Sequence, residues 1–210
     1  MRILIRFITA FCLVIPLGLR AEDGQNTAAS ELWTTLRQGK VAIDLRYRFE
    51  TFERDGSPFT DNSYAPTLRI ALGYETQSFY GFSALAQGAA VLVTGPADYS
   101  VPTLPSQDRP DRPAILDPRA IQLSQGYLKW KHAFGDRKLT ATLGRQEIVL
   151  NDGRFVSISN WRQIHETFDA ARVDVDITRY ATFTYAFINR YYRVVGHDAT
   201  DGKPPCILIC

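Results

Sequence analysis

Seven segments of the chain alternate apolar with polar residues, and the connections between them alternate between long and short. Period-two alternation is typical of a β-strand with two unlike faces. The segments are Lys40–Thr51, Tyr64–Thr76, Phe79–Thr94, Ala120–Phe134, Lys138–Leu150, Ala170–Thr178 and Ala181–Arg193, and the connections are 52–63, 77–78, 95–119, 135–137, 151–168 and 179–180. A transmembrane β-barrel has short turns at its periplasmic end and long loops at its outer end. This order therefore predicts such a barrel.

The first segment shows the alternation most clearly. One predicted face carries only apolar residues and the other is mostly charged: Val41, Ile43, Leu45, Tyr47 and Phe49 against Lys40, Asp44, Arg46, Arg48 and Glu50. Its length meets the ~9–11 residues with which a tilted strand crosses a bilayer. A soluble antiparallel sheet gives the same alternation within a strand. A β-sandwich that binds carbohydrate therefore stays open as an alternative, although a sandwich has no reason to alternate its connections.

Residues 1–21 have the pattern of a secretory signal peptide, with Arg2 and Arg6 ahead of the apolar run Phe7–Leu19. The run is shorter than the roughly 20 residues of a membrane-spanning helix. Removing 1–21 takes away three arginines and no acid, so the net charge changes from +2 to −1. Overall charge therefore does not indicate a nucleic-acid partner. Residues 22–39 are a predicted periplasmic lead-in, with a short helical turn at Ser30–Arg37.

The number of segments and the end of the chain do not fit a complete barrel. Bacterial barrels normally have an even number of strands, whereas seven are predicted here. Residues 194–210 fit no alternating pattern and end with Cys206 and Cys210, which imply neither a disulfide framework nor a metal site. We therefore expect an all-β, antiparallel transmembrane β-barrel, in which 40–193 is the incomplete N-terminal portion of a larger barrel. We expect 194–210 to be an irregular tail that is not native to it.

Several short motifs resemble the alginate-export family of outer-membrane porins: Leu45–Glu50, Gly144–Gln146, Asn151–Val156, Trp161–Gln163 and Thr167–Ala170. The resemblance covers about Lys40 to Phe187. It implies a wide monomeric barrel in the outer membrane of a Gram-negative bacterium. Its arginine-lined channel would conduct an anionic polysaccharide or small anionic solutes, with membrane lipid around it and no cofactor.

Seven arginines are the candidate pore-lining and anion-binding residues: Arg46, Arg48, Arg69, Arg145, Arg154, Arg162 and Arg172. A guanidinium stays charged at all relevant pH values and binds carboxylates through a planar fork. Arg145 follows Gly144, which is similar to a strand-end glycine of that family, whereas Arg154 and Arg162 lie within the matched motif. The alternative is that these arginines pair with nearby acids and only keep the channel hydrated.

Aromatic and histidine residues offer weaker hypotheses. Four aromatic residues could stack on sugars, but a girdle at the membrane boundary is the favoured interpretation: Trp161, Trp130, Tyr64 and Tyr80. His165 and Glu166 beside Ser157, Ser159 and Asn160 raise the alternative of a barrel hydrolase. No nucleophile elbow, metal-ligand spacing or phosphate loop accompanies them, so we predict no enzymatic activity and no metal. Asn151–Gly153 predicts a turn, in which Asp152 is a weak calcium candidate.

Overall fold

The computed structural model describes residues 27–54, 59–154, 156–196 and 207–209. It contains helix α1 (Thr27–Arg37), a single 3-10 turn at Asn151–Gly153, and eight strands: β1 (Lys40–Phe52), β2 (Ser63–Glu75), β3 (Phe82–Val93), β4 (Ala120–Phe134), β5 (Arg137–Gln146), β6 (Thr167–Thr178), β7 (Ala181–Tyr192) and β8 (Ile207–Ile209). The predicted signal peptide, 1–21, lies outside these residues. In the described part, no helix is long and apolar enough to cross a membrane.

The strands form one antiparallel sheet in sequence order, β1 to β8. All seven predicted strands are confirmed, and so is the all-β fold. Within the predicted irregular tail, Ile207–Ile209 pairs with Ile188, Phe187 and Ala186 of β7. The described strands form no second sheet on which apolar side chains could pack, as a sandwich requires. The predicted Ser30–Arg37 turn is confirmed as the greater part of α1.

The two faces of the sheet are inverted relative to a soluble protein. The five apolar residues of β1 from Val41 to Phe49 are 59–68% exposed. On the opposite face, Arg69 of β2 is 3% exposed and Thr67 is fully buried. We call the side that carries Val41, Leu72 and Leu143 the apolar face, and the side that carries Arg46 and Arg69 the polar face. Charged residues are seldom buried in soluble domains, so water is not the solvent that selects this arrangement.

Connections at one end of the sheet are long and those at the other end are short, as predicted. The long-loop end has residues 53–62, 94–119 and 147–166, and the short-turn end has 76–81, 135–136 and 179–180. The position of the first short turn differs from the prediction of 77–78. Phe79 and Phe82 exchange backbone hydrogen bonds of 2.8 and 2.9 Å around Tyr80–Gly81. Both residues of this turn have positive φ, 49° and 85°, which favours glycine at Gly81.

A β-bulge in β4 shifts its register with β3. Gln87 is opposite Gln125, but the next residue, Gly88, is opposite Leu123, which leaves Ser124 without a Cα partner. The bulge reverses the side-chain parity of the strand. Ile121 and Leu123 before it therefore share the apolar face with Leu128 and Trp130 after it.

The long loops fold over the polar face and supply a core there. Loop 94–119 packs in one cluster with β2 and with the segment after β7: Ala65, Tyr99, Val101, Leu104, Ile115, Val194 and Val195. Because one cluster joins β2 to the segment that directly follows β7, the sheet curls around its polar face. A smaller cluster of Ile148, Phe168, Ala170 and Ile188 anchors the start of loop 147–166. Helix α1 lies at the short-turn end, where the Tyr74 hydroxyl donates to the Leu36 carbonyl.

Candidate functional site

Loop 147–166 crosses the polar face and meets β1 at Arg46. The guanidinium of Arg46 donates from Nε to Gln163 Oε1 at 3.1 Å and from Nη1 to the Asn160 carbonyl at 2.7 Å. Its Nη2 donates to the Arg162 carbonyl and lies 3.4 Å from His165 Nε2. One guanidinium therefore holds the segment 160–165 of the loop against the first strand.

Gln163 fixes the same loop to two further parts of the chain. Its side chain is fully buried. The side-chain amide donates to Thr67 Oγ1 at 2.9 Å and to the Thr67 carbonyl at 3.1 Å. Its backbone N–H donates to Asp117 Oδ1 at 2.9 Å. Sequence reasoning placed Gln163 in a motif but assigned no role to it, to Thr67 or to Asp117, because their partners lie 46 to 117 positions away.

Asp117 is a fully buried carboxylate between two arginines. Its Oδ2 lies 3.4 Å from Arg48 Nη1 and 3.8 Å from Arg162 Nη1. Its carbonyl accepts a hydrogen bond of 2.8 Å from the hydroxyl of Tyr99. Burial is the main cause that raises the pKa of Tyr99 to about 12, and the negative charge of Asp117 is the second cause. Loop 94–119 is thereby joined to β1 and to loop 147–166.

Glu50 is the second acid shared by Arg48 and Arg162. Its Oε2 lies 2.5 Å from Arg48 Nη2 and 3.2 Å from Arg162 Nη1. Trp161 lies against both guanidiniums, with its ring centroid 4.3 Å from Cζ of Arg48 and 3.9 Å from Cζ of Arg162. Cation–π contacts of this kind hold the indole in place. Its 61% exposure on the polar face corrects the girdle interpretation for Trp161.

Arg46 differs from the other guanidiniums of this cluster in its partners. Arg69 is the Cα partner of Arg46 and pairs with Asp44 at 2.5 Å. Arg46 itself has no carboxylate within 4.0 Å among the described residues, and its acceptors are carbonyl and amide oxygens. Glu147 is linked to it only through His165.

The three other candidate arginines lie elsewhere. Arg172, on the polar face of β6, donates to Asp174 Oδ1 from Nε at 3.0 Å and from Nη2 at 2.8 Å. Arg154 is exposed in the loop just after the 3-10 turn. Arg145 is opposite Gly126 in the register and shares the apolar face with Leu143. Its side chain is therefore not on the polar face, where the pore-lining prediction put it.

His165 and Glu166, the residues behind the hydrolase alternative, have different hydrogen-bond partners. Its Nδ1 lies 2.8 Å from Glu147 Oε1, whereas Glu166 accepts a hydrogen bond from the hydroxyl of Tyr191. Within the described ranges, neither Ser157 nor Ser159 is hydrogen-bonded to the imidazole. No group of three or more metal-ligating residues occurs in the part of the chain that was searched, 27–54, 59–154, 156–196 and 207–209. The Asn151–Gly153 turn is confirmed, and Asp152 adopts positive φ there.

Aromatic rings line the apolar face at both ends of the sheet. A row of four stacked rings runs along the short-turn end, with centroids 5.4 to 6.4 Å apart: Phe82, Trp130, His132 and Phe134. Tyr80 is exposed beside them, and Tyr64 is exposed at the long-loop end. This placement matches the girdle interpretation for Trp130, Tyr80 and Tyr64.

The described strands form one antiparallel sheet in sequence order, with an exposed apolar face, a charged inner face and long loops at one end. These features define the class of protein: the sheet is the partial wall of a transmembrane β-barrel of the porin type. A family model described as alginate export matches residues 37–195. The chain belongs to this family, which is a family of outer-membrane transport porins. No curated protein and no solved structure gives a significant match.

Proposed function

We propose that this chain forms part of a monomeric outer-membrane porin that passes anionic sugars or small anionic solutes. The observation that supports anion passage is the guanidinium of Arg46, which neutral acceptors hold on the polar face and which has no directly paired carboxylate among the described residues. The apolar face contacts membrane lipid, and the polar face contacts water in the channel. Loop 147–166 narrows that channel next to Arg46.

Guanidinium groups favour carboxylate-bearing solutes for two reasons. Their charge stays fixed over the whole physiological pH range. Their N–H groups replace the water that a carboxylate loses when it enters a constriction. The exposed indole of Trp161 beside Arg48 and Arg162 offers a flat apolar surface on which a sugar ring stacks. The solute class that fits this combination is a uronate or another acidic sugar.

Single-channel recording in planar bilayers under a salt gradient tests the proposal. We expect an anion-selective reversal potential for the wild-type protein. Arg46→Gln lowers the anion-to-cation permeability ratio about fivefold, which corresponds to about 1 kcal/mol for one charge at 4 Å in water. Arg46→Lys, which keeps the charge, retains most of the selectivity.

Arg137→Gln is the matched control, because Arg137 is exposed opposite Phe134 on the apolar face at the short-turn end. It removes the same charge outside the channel, so we expect an unchanged reversal potential. A cation-selective wild type, or no conductance from protein that has inserted into the bilayer, contradicts the proposal.

A further inference from the structure

Two arginines lie on the apolar face, outside the polar-face site. In the register, Arg145 of β5 is opposite Asp169 of β6, which is opposite Arg190 of β7. Leu143 and Ala171, two positions away along β5 and β6, share this face with them. The neighbouring residue Ile188 has 1% exposure and faces the other way, whereas Arg190 is exposed. A β-bulge at residue 189 separates the two.

Arg145, Asp169 and Tyr192 form a fixed platform. Arg145 donates to Asp169 from Nε at 2.8 Å and from Nη2 at 3.2 Å. The Tyr192 hydroxyl donates to Asp169 Oδ2 at 3.0 Å, and its ring centroid lies 3.7 Å from Cζ of Arg145. Arg145 Nη1 also donates to the Leu123 carbonyl at 3.2 Å. The carboxylate of Asp169 and the ring of Tyr192 therefore hold the guanidinium of Arg145 in one position.

Arg190 is held much less firmly. Its Nη1 lies 3.4 Å from the Tyr192 hydroxyl, and its Cζ lies 5.9 Å from the centroid of the same ring. No carboxylate lies within 4.0 Å of this guanidinium among the residues that the structure describes. The cluster therefore has two guanidiniums and one carboxylate, and Arg190 is exposed with a single hydrogen bond to the described residues.

The position of the cluster along the strands determines which part of the membrane surrounds it. Arg145 is the last residue but one of β5, Asp169 is the third residue of β6, and Arg190 is two residues from the end of β7. All three lie at the long-loop end. A charged residue on the lipid face costs about 2–4 kcal/mol at the bilayer midplane but about 0–1 kcal/mol near the interface. The cluster therefore lies at the level of lipid headgroups.

We propose that Arg145, Arg190 and Tyr192 bind a phosphate group of a lipid in the outer leaflet, the phosphorylated glucosamine headgroup of lipopolysaccharide. This inference rests on the proposed function, because it needs the long-loop end to face the outside of an outer membrane. A planar guanidinium fork matches phosphate oxygens in charge and geometry. Arg190 presents this fork, and Arg145, whose nitrogens already donate to Asp169 and Leu123, adds positive charge beside it. Tyr192 contacts the sugar of the headgroup.

Native mass spectrometry of the full chain in detergent micelles, titrated with bisphosphorylated lipid A, tests this site. We expect wild-type protein to retain one lipid A molecule, and Arg190→Gln to weaken its binding about tenfold, as the loss of one hydrogen bond between charged groups predicts. Arg137→Gln is the matched control on the same face at the opposite end of the sheet, and we expect it to bind lipid A as the wild type does.

Two further arms identify the ligand. Lipid A from which both phosphates have been removed should bind to the wild type about tenfold more weakly than phosphorylated lipid A does. For this dephosphorylated lipid, we expect the wild type and Arg190→Gln to have equal affinities. Equal affinity of wild type and Arg190→Gln for the phosphorylated lipid overturns the site. Full competition by inorganic phosphate at the same concentration also overturns the site, because the site would then bind free anions from water.

Bilayer recording of Arg190→Gln separates this inference from the function on which it rests. We expect its conductance and reversal potential to match those of the wild type. Loss of the lipid A difference with normal anion conductance overturns the headgroup site alone. Retained lipid A selectivity in a protein that inserts but does not conduct overturns the porin function and supports the headgroup site.

Discussion

Single residues on the polar face hold together segments that are far apart in sequence. The buried Gln163 amide joins loop 147–166 to Thr67 of β2, while its carbonyl oxygen accepts from Arg46 of β1. The side-chain oxygen and amide are both used, so no isosteric apolar residue can replace them. A buried donor left without its partner costs about 1–3 kcal/mol. The path of the loop over the polar face therefore depends in part on this glutamine side chain, together with Arg46 and Asp117.

Gln163→Leu should lower the free energy of unfolding by about 2 kcal/mol, because Thr67 and Arg46 then lose a buried partner. Urea titration of the protein in micelles, followed by fluorescence, measures the change. Gln77→Leu is the control: Gln77 is exposed and donates to the Gln38 carbonyl at 3.1 Å. Its expected cost is below about 0.5 kcal/mol. Equal costs for the two variants would show that Gln163 does not anchor the loop.

At the scale of elements, glycine positions decide where a strand turns. Gly81 has φ of 85°, and a Cβ built there would lie 2.4 Å from the Lys131 carbonyl oxygen of the neighbouring strand. Gly135 has φ of 60°, but nothing lies within 4 Å of a Cβ at that position. The two hairpins therefore have the same backbone requirement but different surroundings. The first hairpin is closed by contact with β4, and the second is open to its environment.

Gly81→Ala and Gly135→Ala separate these two effects. Positive φ costs an alanine about 1–2 kcal/mol at either position. The contact with the Lys131 carbonyl adds about 1–3 kcal/mol of crowding only at Gly81. We expect Gly81→Ala to lower stability more than Gly135→Ala. Samples are heated to a series of temperatures and run on an SDS gel in the cold, and the temperature at which the folded band disappears measures the stability. The reverse order would contradict the structure of this hairpin.

At the scale of the whole molecule, the surrounding solvent explains why the apolar face is exposed and the polar face is buried, the reverse of a soluble protein. Leu143 is 64% exposed on β5, whereas Thr142 beside it is buried on the polar face. Backbone groups within lipid must all be paired, so the edge strands of a sheet of this kind need partners there. We expect lipid to cover the apolar face, which then needs no second layer of protein. Lipid in that arrangement takes the place of the core that a soluble domain would build.

Charge substitutions on the two faces test this arrangement. Leu143→Arg should make folding into phosphatidylcholine vesicles less favourable by about 1–2 kcal/mol, between the costs at the interface and at the midplane, because the guanidinium enters lipid two residues deeper than Arg145. Thr140→Arg, on the polar face of the same strand, is expected to cost less than about 1 kcal/mol. Urea-dependent folding into the vesicles gives both values. Equal costs on the two faces would show that lipid does not cover the apolar one.

Local patterns in the sequence determined the strands, their order along the chain and the two faces of most of them. Side-chain direction alternates with a period of two residues whatever the rest of the chain does, so β1 and β2 could be predicted nearly to the residue. The motif around Gly144 and Trp161 was enough to identify the family. The turn at Gly81 was placed two or three residues too early, because several residues there were compatible with a turn.

Tertiary structure alone decided which arginines meet. Arg46, Arg48, Arg69 and Arg162 converge because loop 147–166 folds back over the polar face to the first strand, more than 110 positions earlier in the chain. Arg145 lies on the apolar face although it is one of the motif arginines, because register and a bulge set its side. Alternation fixes side-chain direction only within a strand. The path of a long loop depends on partners such as Asp117 and Gln163, which no local pattern connects.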